Sequence, residues 1–185
     1  MLEIRIHGRG GQGAVTSAEL LAVAAIEEGK YAQGFPSFGP ERRGAPVAAF
    51  CRIDDRPIRL RSKIYSPDAV LVLDPSLLGV ANPSAGLKPG GVIIINTNKS
   101  EAEIRKECGI TATVALVDAY KIAREELGVP ITNTTMLGAL IGATKAIKPE
   151  SMEAPLRERF GKIGERNVKA FRRACTETVV YTAKG

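Results

Sequence analysis

Short apolar runs alternate with amphipathic stretches along most of the chain. Alternating apolar and polar residues at 2–7 (LEIRIH) predict a strand, and the apolar spacing at 14–28 (AVTSAELLAVAAIEE) predicts a helix that Gly29 ends. Further apolar runs bounded by turn residues predict buried parallel strands, and these runs are 68–74 (DAVLVLD), 90–98 (GGVIIINTN) and 111–119 (TATVALVDA). Strands that alternate with helices in this way indicate an α/β sheet.

The remaining patterns predict one hairpin and a helical C-terminal region. Residues 46–54 (PVAAFCRID) and 56–62 (RPIRLRS) are expected to form two strands that turn at Asp54 and Asp55, with the second strand at an edge because of Pro57. Helices are expected at 133–147, with Asn133 or Thr134 as the N-cap, and at 151–160 and 165–178. The expected fold class is a Rossmann-like three-layer α/β domain with a mostly parallel sheet, helices on both faces and an edge hairpin. Residues 1–185 are expected to form a single domain.

Composition excludes several classes of protein. The 185 residues are 44% apolar and 25% charged, which argues against a disordered or fibrous chain. No apolar run approaches the roughly 20 residues that span a bilayer, and the N-terminal residues do not resemble a signal peptide, so we expect a cytoplasmic protein without membrane contact. Three separate cysteines without a C-x-x-C pair, Cys51, Cys108 and Cys175, predict neither a disulfide framework nor a cysteine-bound metal or cluster.

The net charge of +6 is concentrated in two basic stretches, residues 41–63 and 156–173. Such an excess is typical of proteins that bind nucleic acid, an anionic ligand or an acidic partner subunit. Nucleic acid is not favoured, because the chain lacks interleaved aromatic residues, zinc-ligand spacing and a recognisable recognition helix. For the second stretch, a solvated helix face is the alternative to a binding surface.

A glycine-rich turn lies between the first predicted strand and the first predicted helix. Gly8, Gly10 and Gly13 match the G-x-G-x-x-G pattern in the context that gives it meaning, because glycines let main-chain amides approach an anion at a helix N-terminus. The ribose-binding carboxylate of dinucleotide sites is expected near Gln33, where the chain has none. Ala14 and Val15 take the places of the Walker A lysine and hydroxyl, which argues against an NTPase. The alternative is that the glycines only allow close packing.

Residues 34–46 (GFPSFGPERRGAP) predict a rigid, shaped loop instead of a regular element, because three prolines and three glycines occur within thirteen residues. Surface aromatic residues in such a loop usually contact another molecule. Arg42 and Arg43 have the paired donors that suit phosphate or carboxylate, and an intersubunit salt bridge is the alternative role for them.

The segments HGRGGQGAVTSAELLA and FPSFGPERRGAPVAAFCRI resemble the gamma subunits of the 2-oxoacid:ferredoxin oxidoreductases. SPDAVLVLDPSLL and NTTMLGALIGA follow in the order of that family, so the resemblance covers nearly the whole chain. The arginine pair in GPERRGAPV is more similar to the subfamilies for pyruvate or branched-chain 2-oxoacids than to the one for 2-oxoglutarate.

This resemblance implies a subunit of an enzyme that decarboxylates a 2-oxoacid with coenzyme A and reduces ferredoxin. Thiamine diphosphate, Mg and the iron-sulfur clusters would be held by alpha, beta and delta partner subunits, so this chain alone is expected to lack a complete active site and activity. The gamma chain would help to enclose coenzyme A. The candidate contacts are first Gly8, Gly10, Gly11, Gln12 and Gly13, then Arg42 and Arg43, and finally Asn133 and Thr134.

Other interpretations remain open at this stage. The substrate of the complex is pyruvate in the first reading and a branched-chain 2-oxoacid in the second. A self-sufficient nucleotide-dependent oxidoreductase and a stand-alone nucleotide-binding module are the alternatives outside this family. No residue of the chain is predicted to be catalytic or to bind a metal, and the only histidine, His7, is expected to have a packing or hydrogen-bonding role.

Overall fold

The computed structural model describes residues 1–37 and 44–184 and contains one seven-stranded sheet. The strands are β1 (Leu2–Arg9), β2 (Tyr31–Pro36), β3 (Pro46–Asp54), β4 (Ala69–Val72), β5 (Val92–Asn96), β6 (Thr113–Val117) and β7 (Val179–Tyr181). Their order across the sheet is β2-β3-β1-β4-β5-β6-β7, and β3 and β7 run against the other five. The sheet is therefore mostly parallel, as the sequence predicted.

Helices cover both faces of this sheet. They are α1 (Ala14–Glu27), α2 (Glu101–Cys108), α3 (Ala119–Leu127), α4 (Asn133–Thr144), α5 (Glu153–Phe160) and α6 (Gly164–Glu177). The larger core lies between one face and all of these helices except α2, whereas α2 packs on the opposite face through the buried Ile104. In β5, the consecutive residues Ile93, Ile94 and Ile95 are all fully buried, because Ile94 belongs to the larger core and its two neighbours to the smaller one. The predicted three-layer class is confirmed.

Helices α4 and α6 cross at very short range. A Cβ placed on Gly138 would overlap the carbonyl oxygen of Phe171, and one on Gly142 would lie 2.5 Å from the carbonyl oxygen of Cys175. Glycine at these positions lets the two backbones meet, and α4 is thereby held between α6 and the sheet.

Some of the expected elements are wrong. The antiparallel edge hairpin exists, but β3 pairs with β2 on one side and with β1 on the other. Residues 56–62 therefore have no free edge of β3 to join, and they form no strand. Residues 34–36, which were expected in an irregular loop, belong to β2. The N-cap of α4 is Thr132, because Asn133 and Thr134 already lie within the first helical turn.

None of the helices in the described part of the chain has the length and apolar character that crossing a bilayer requires.

Candidate functional site

The glycine turn lies at the point where the order of the sheet reverses. From β1 the chain passes through α1 to β2 on one side, whereas from β4 it passes to β5 on the other side. The carboxyl ends of the adjacent parallel strands β1 and β4 therefore border a crevice, which is where open α/β sheets bind ligands.

Two glycines give the turn its shape. Gly11 and Gly13 have φ of +94° and +85°, a region that residues with a Cβ adopt only at a cost of roughly 1–2 kcal/mol. Gly10 donates its amide to the carbonyl of Ala45 at 2.9 Å, which ties the turn to the start of β3. Gly8 lies within β1, and a Cβ there would come 3.2 Å from Leu73 Cδ1, so its place requires a small residue for packing.

The side chain of Gln12 folds back and closes the turn. Its Oε1 accepts a hydrogen bond from the amide of Arg9 at 2.6 Å, and its Nε2 donates to Asp74 Oδ2 at 2.8 Å. Asp74, at the carboxyl end of β4, also accepts from the amide of Ser76 and lies 3.3 Å from Arg9 Nε. Although burial acts to raise it, the pKa of Asp74 is held below its usual value by hydrogen bonds from Ser76 and Gln12. Gln12 therefore orients the loop through an ionised Asp74.

A second helix N-terminus meets the first at this turn. A Cβ on Gly13 would lie 2.7 Å from Asn133 Nδ2, so the side chain of the first residue of α4 packs directly over the N-cap residue of α1. Neither helix has a side-chain hydrogen bond at its cap or an acidic residue in its first turn. The N-termini of α1 and α4 therefore lie in contact, and each carries the partial positive charge of its helix dipole. No carboxylate in the first turn of either helix compensates that charge.

Asn133 and Thr134 differ in what their side chains do. Asn133 is only 7% exposed, and its amide forms no hydrogen bond with any residue of the ranges 1–37 and 44–184. Thr134 is buried, and its hydroxyl lies 2.8 Å from Asn167 Oδ1 on α6. The side-chain amide of Asn133 is thus available beside the glycine turn. The hydroxyl of Thr134 is already used in its contact with Asn167.

The predicted arginine pair, Arg42 and Arg43, lies outside the described residues. So does one of the two phenylalanines of the predicted loop. The other, Phe35, is half-buried: its ring lies 5.3 Å from that of Phe50, and the guanidinium of Arg52 lies 5.4 Å from its centroid. The ring of Phe35 is thus partly covered, because β3 supplies an aromatic and a cationic neighbour for it, and it still lines a surface groove.

His7 lies in β1 beside Arg5 and is partly buried. Its Nε2 is buried without a hydrogen-bond partner in the described chain. Burial, and then the charge of Arg5, lower the pKa of His7 to about 4. The imidazole is therefore neutral near pH 7, in keeping with the packing role expected from the sequence.

A separate cleft of about 800 Å³ was missed by sequence reasoning. It lies at the carboxyl ends of β4, β5 and β6, between α2 and α3. Tyr120 on its wall is half-buried, and burial followed by the charge of Asp74 raises the pKa of its hydroxyl. Polar residues directly after apolar strands were the available signal, since Asn96 and Asp118 each follow such a run.

Metal-ligating side chains are dispersed. No three His, Cys, Asp or Glu residues within 1–37 and 44–184 come together in a way that could hold a metal ion. Cys51 is fully buried, which raises the pKa of its thiol to about 12.

An open doubly wound α/β sheet with a glycine turn at its switch point defines the Rossmann-like class of α/β domains. Within that class, the model of the family described as pyruvate ferredoxin/flavodoxin oxidoreductase matches residues 3–177. The chain belongs to this family, and the gamma-subunit assignment predicted from the sequence is confirmed.

Individual relatives agree with this assignment. The pyruvate/ketoisovalerate oxidoreductases common subunit gamma of Thermococcus kodakarensis is 57% identical, over 98% of this chain and 99% of that protein. Pyruvate synthase subunit PorC of Methanothermobacter thermautotrophicus is 52% identical, over 96% of each. Among solved structures, pyruvate oxidoreductase subunit PORC of Thermotoga maritima has a TM-score of 0.87 and 38% identity, over 97% of both chains.

Proposed function

We propose that this chain is the gamma subunit of a pyruvate:ferredoxin oxidoreductase, which converts pyruvate and coenzyme A to acetyl-CoA and CO2 and reduces ferredoxin. Alpha, beta and delta subunits would hold thiamine diphosphate, Mg and the iron-sulfur clusters, and residues 1–185 would act as one gamma-type domain without activity alone. Membership of the family and the pyruvate synthase relatives support this proposal. The relative from Thermococcus kodakarensis is also named for ketoisovalerate, so a branched-chain 2-oxoacid is the second candidate substrate.

The task proposed for this chain is to bind phosphate groups of coenzyme A. The observation that carries it is the meeting of two uncapped helix N-termini at Gly13 and Asn133. Main-chain amides at such ends bind phosphate oxygens, and a ligand with several phosphates can use both ends at once. We call the residues Gly10–Gly13 and Asn133 the anion cradle.

Each side chain of the anion cradle has a distinct role in this proposal. Gln12, held by Asp74, keeps the turn closed so that the amides of Gly11 and Gly13 stay available. Asn133 supplies a side-chain amide that can donate to a phosphate oxygen without needing a charge. Arg42 and Arg43 would add cationic donors from the loop before β3.

The substitution Asn133→Asp tests this role, and thermal unfolding of the variant checks that the nearly buried carboxylate leaves the fold intact. Aspartate has nearly the shape of asparagine, and a negative charge in the first turn of α4 favours the helix while repelling phosphate. In the assembled complex we expect the KM for coenzyme A to rise about tenfold or more, which corresponds to about 1.4 kcal/mol. The KM for pyruvate should stay the same. Asn82→Asp, at an exposed loop, is the matched control and should change neither value.

A second variant, Arg42→Ala with Arg43→Ala, should also raise the requirement for coenzyme A. Unchanged KM values in both variants would contradict the anion cradle. Assays of the wild-type complex with pyruvate and with 2-oxoisovalerate decide between the two substrate classes. A complex that uses neither 2-oxoacid would contradict the proposed function itself.

A further inference from the structure

Residues 56–66 form an exposed segment beside the edge strand β2, and we call it the basic segment. It contains neither helix nor strand, yet side chains of the sheet hold it in place. Gln33 Nε2 donates to the carbonyl of Ile58 at 3.1 Å, and Arg52 Nη2 donates to the carbonyl of Lys63 at 3.5 Å. The segment therefore presents its outward side chains from a defined position.

The charge of the basic segment is not compensated within the described chain. Its cationic residues are Arg56, Arg59, Arg61 and Lys63, all exposed, and the segment contains no acidic residue. None of them forms an ion pair with a residue of the ranges 1–37 and 44–184.

The C-terminal basic stretch is compensated only in part. On α6, Arg173 is bound by three carboxylates, at 2.8 Å each, and these belong to Glu125, Glu126 and Glu177. These three carboxylates neutralise this positive charge locally. Other cations of this stretch are exposed and form no ion pair in the described ranges, namely Arg159, Lys162, Arg166 and Lys169. Charge alone therefore does not distinguish the two stretches, and the surface next to the basic segment has to do so.

An apolar groove of about 540 Å³ borders the basic segment. Val23 and Ile26 of α1 line one side and are 44% and 55% exposed, and Leu60 of the segment, 47% exposed, lines the other with Arg61. Large apolar side chains that line a common groove at this exposure mark a contact surface. Glu19 of α1 is the acidic residue at the rim.

The floor of this groove is the outer strand of the sheet. β2 is hydrogen-bonded only to β3, so its other edge has no strand partner in the described part of the chain. An exposed edge of six residues presents amides and carbonyls that an extended peptide can pair with.

We propose that β2, the groove and the basic segment together bind an extended, acidic segment of another subunit of the oxidoreductase. The partner segment adds a strand to β2, places apolar side chains in the groove and brings carboxylates to Arg59 and Arg61. A protein fits this surface better than a nucleic acid does, because the groove is apolar and the strand edge offers main-chain hydrogen bonds. The inference rests on the proposed function only in that it requires partner subunits.

Co-expression of the chain with its alpha, beta and delta subunits tests this surface. Arg59→Glu with Arg61→Glu should lower the co-purified amount of partner subunit at least tenfold, because it places like charges against the acidic segment. Arg166→Glu with Lys169→Glu reverses two exposed charges on α6 and is the matched control, for which full assembly is expected. Thermal unfolding of each isolated variant checks that the fold is unchanged.

Hydrogen exchange gives an independent readout on the unmutated complex. The amides of residues 31–35 that do not bond to β3 should become protected on assembly, and high salt should release the partner. If the wild type assembles and the Arg59/Arg61 variant assembles equally well, or if the β2 edge stays unprotected, this inference alone is wrong. Capture of nucleic acid in place of a subunit would also overturn it. If the wild type captures no subunit at all, the proposed function fails as well.

Discussion

Gln12 and Asp74 are joined by a 2.8 Å hydrogen bond that connects the glycine turn to the neighbouring strand β4. Because Gln12 also accepts the amide of Arg9, one side chain holds both ends of the turn. The shape of the anion cradle thus depends on Asp74, which lies outside the glycine motif, and this dependence leads to the first prediction.

Gln12→Glu should destabilise the protein at neutral pH. The substitution replaces the donor Nε2 with a carboxylate oxygen that faces Asp74, and the two like charges cost roughly 1–3 kcal/mol of unfolding free energy. One of the two carboxyls should then titrate above its usual pKa, so the folded variant binds a proton that the unfolded chain does not. Its stability relative to wild type should therefore recover as the pH falls toward 5.

Urea unfolding from pH 8 to pH 5 measures this effect. Gln12→Met serves as the control, since it removes the donor without adding a charge and should show no recovery in acid. If the loss of unfolding free energy in the Gln12→Glu variant stays constant with pH, Gln12 and Asp74 are not in contact.

Gly138→Ala should destabilise the fold even though it raises helix propensity. Alanine in a helix interior is better than glycine by about 1 kcal/mol, but a Cβ here would meet the carbonyl of Phe171. The backbones of α4 and α6 would have to separate, with a cost of about 1–3 kcal/mol. Gly79→Ala is the control, because a Cβ there contacts nothing within 4 Å. The denaturation midpoint of this variant should stay near that of wild type. Chemical denaturation shows whether the substitution raises or lowers the free energy of unfolding. A more stable Gly138→Ala protein would refute the close crossing of α4 and α6.

His7 should make stability depend on pH between about 6.5 and 4. The unfolded chain takes up a proton at the ordinary pKa of 6.5, whereas the folded chain resists protonation until about pH 4. The contribution of neutral His7 to the unfolding free energy is complete above pH 6.5. It is lost as the pH falls toward 4, and the total loss is about 3 kcal/mol.

The sequence contains a single histidine, so the titration of its imidazole signals by NMR reports this pKa directly. The His7→Gln protein should lack this part of the pH dependence, and the difference between the two denaturation curves isolates it from the carboxylates. A midpoint near 6.5 in the folded protein would contradict the burial of the imidazole.

Local patterns predicted most of the elements that build the sheet. Apolar runs and turn residues were sufficient for β1, β4, β5 and β6, because each of these strands is buried on both faces or bounded by clear breaks. α2 was missed although Ser100 and Glu103 form a capping box, a pattern visible in the sequence. The pairing of β3 could not be predicted locally, because it depends on which strands already occupy its edges.

The candidate site also contains some features that the local sequence predicts and others that depend on tertiary packing. The glycine turn could be predicted because its conformational requirement is local to Gly11 and Gly13. The position of Asn133 over Gly13 could not be, since it follows from how α4 packs between α6 and the sheet. Asp74 likewise acquires its role only because β4 lies beside β1, a fact of topology that strand patterns alone do not contain.

The proposed anion site at the two uncapped helix ends would couple ligand binding to folding. Neither α1 nor α4 has a side-chain hydrogen bond at its N-cap, so an anion that binds there would find its site only in the folded molecule. Such an anion present at a hundred times its dissociation constant would add about 2.7 kcal/mol to the unfolding free energy. If the proposed anion cradle binds phosphate, the melting temperature of the subunit should rise with phosphate-bearing ligands, and this rise can be measured without any turnover of the enzyme.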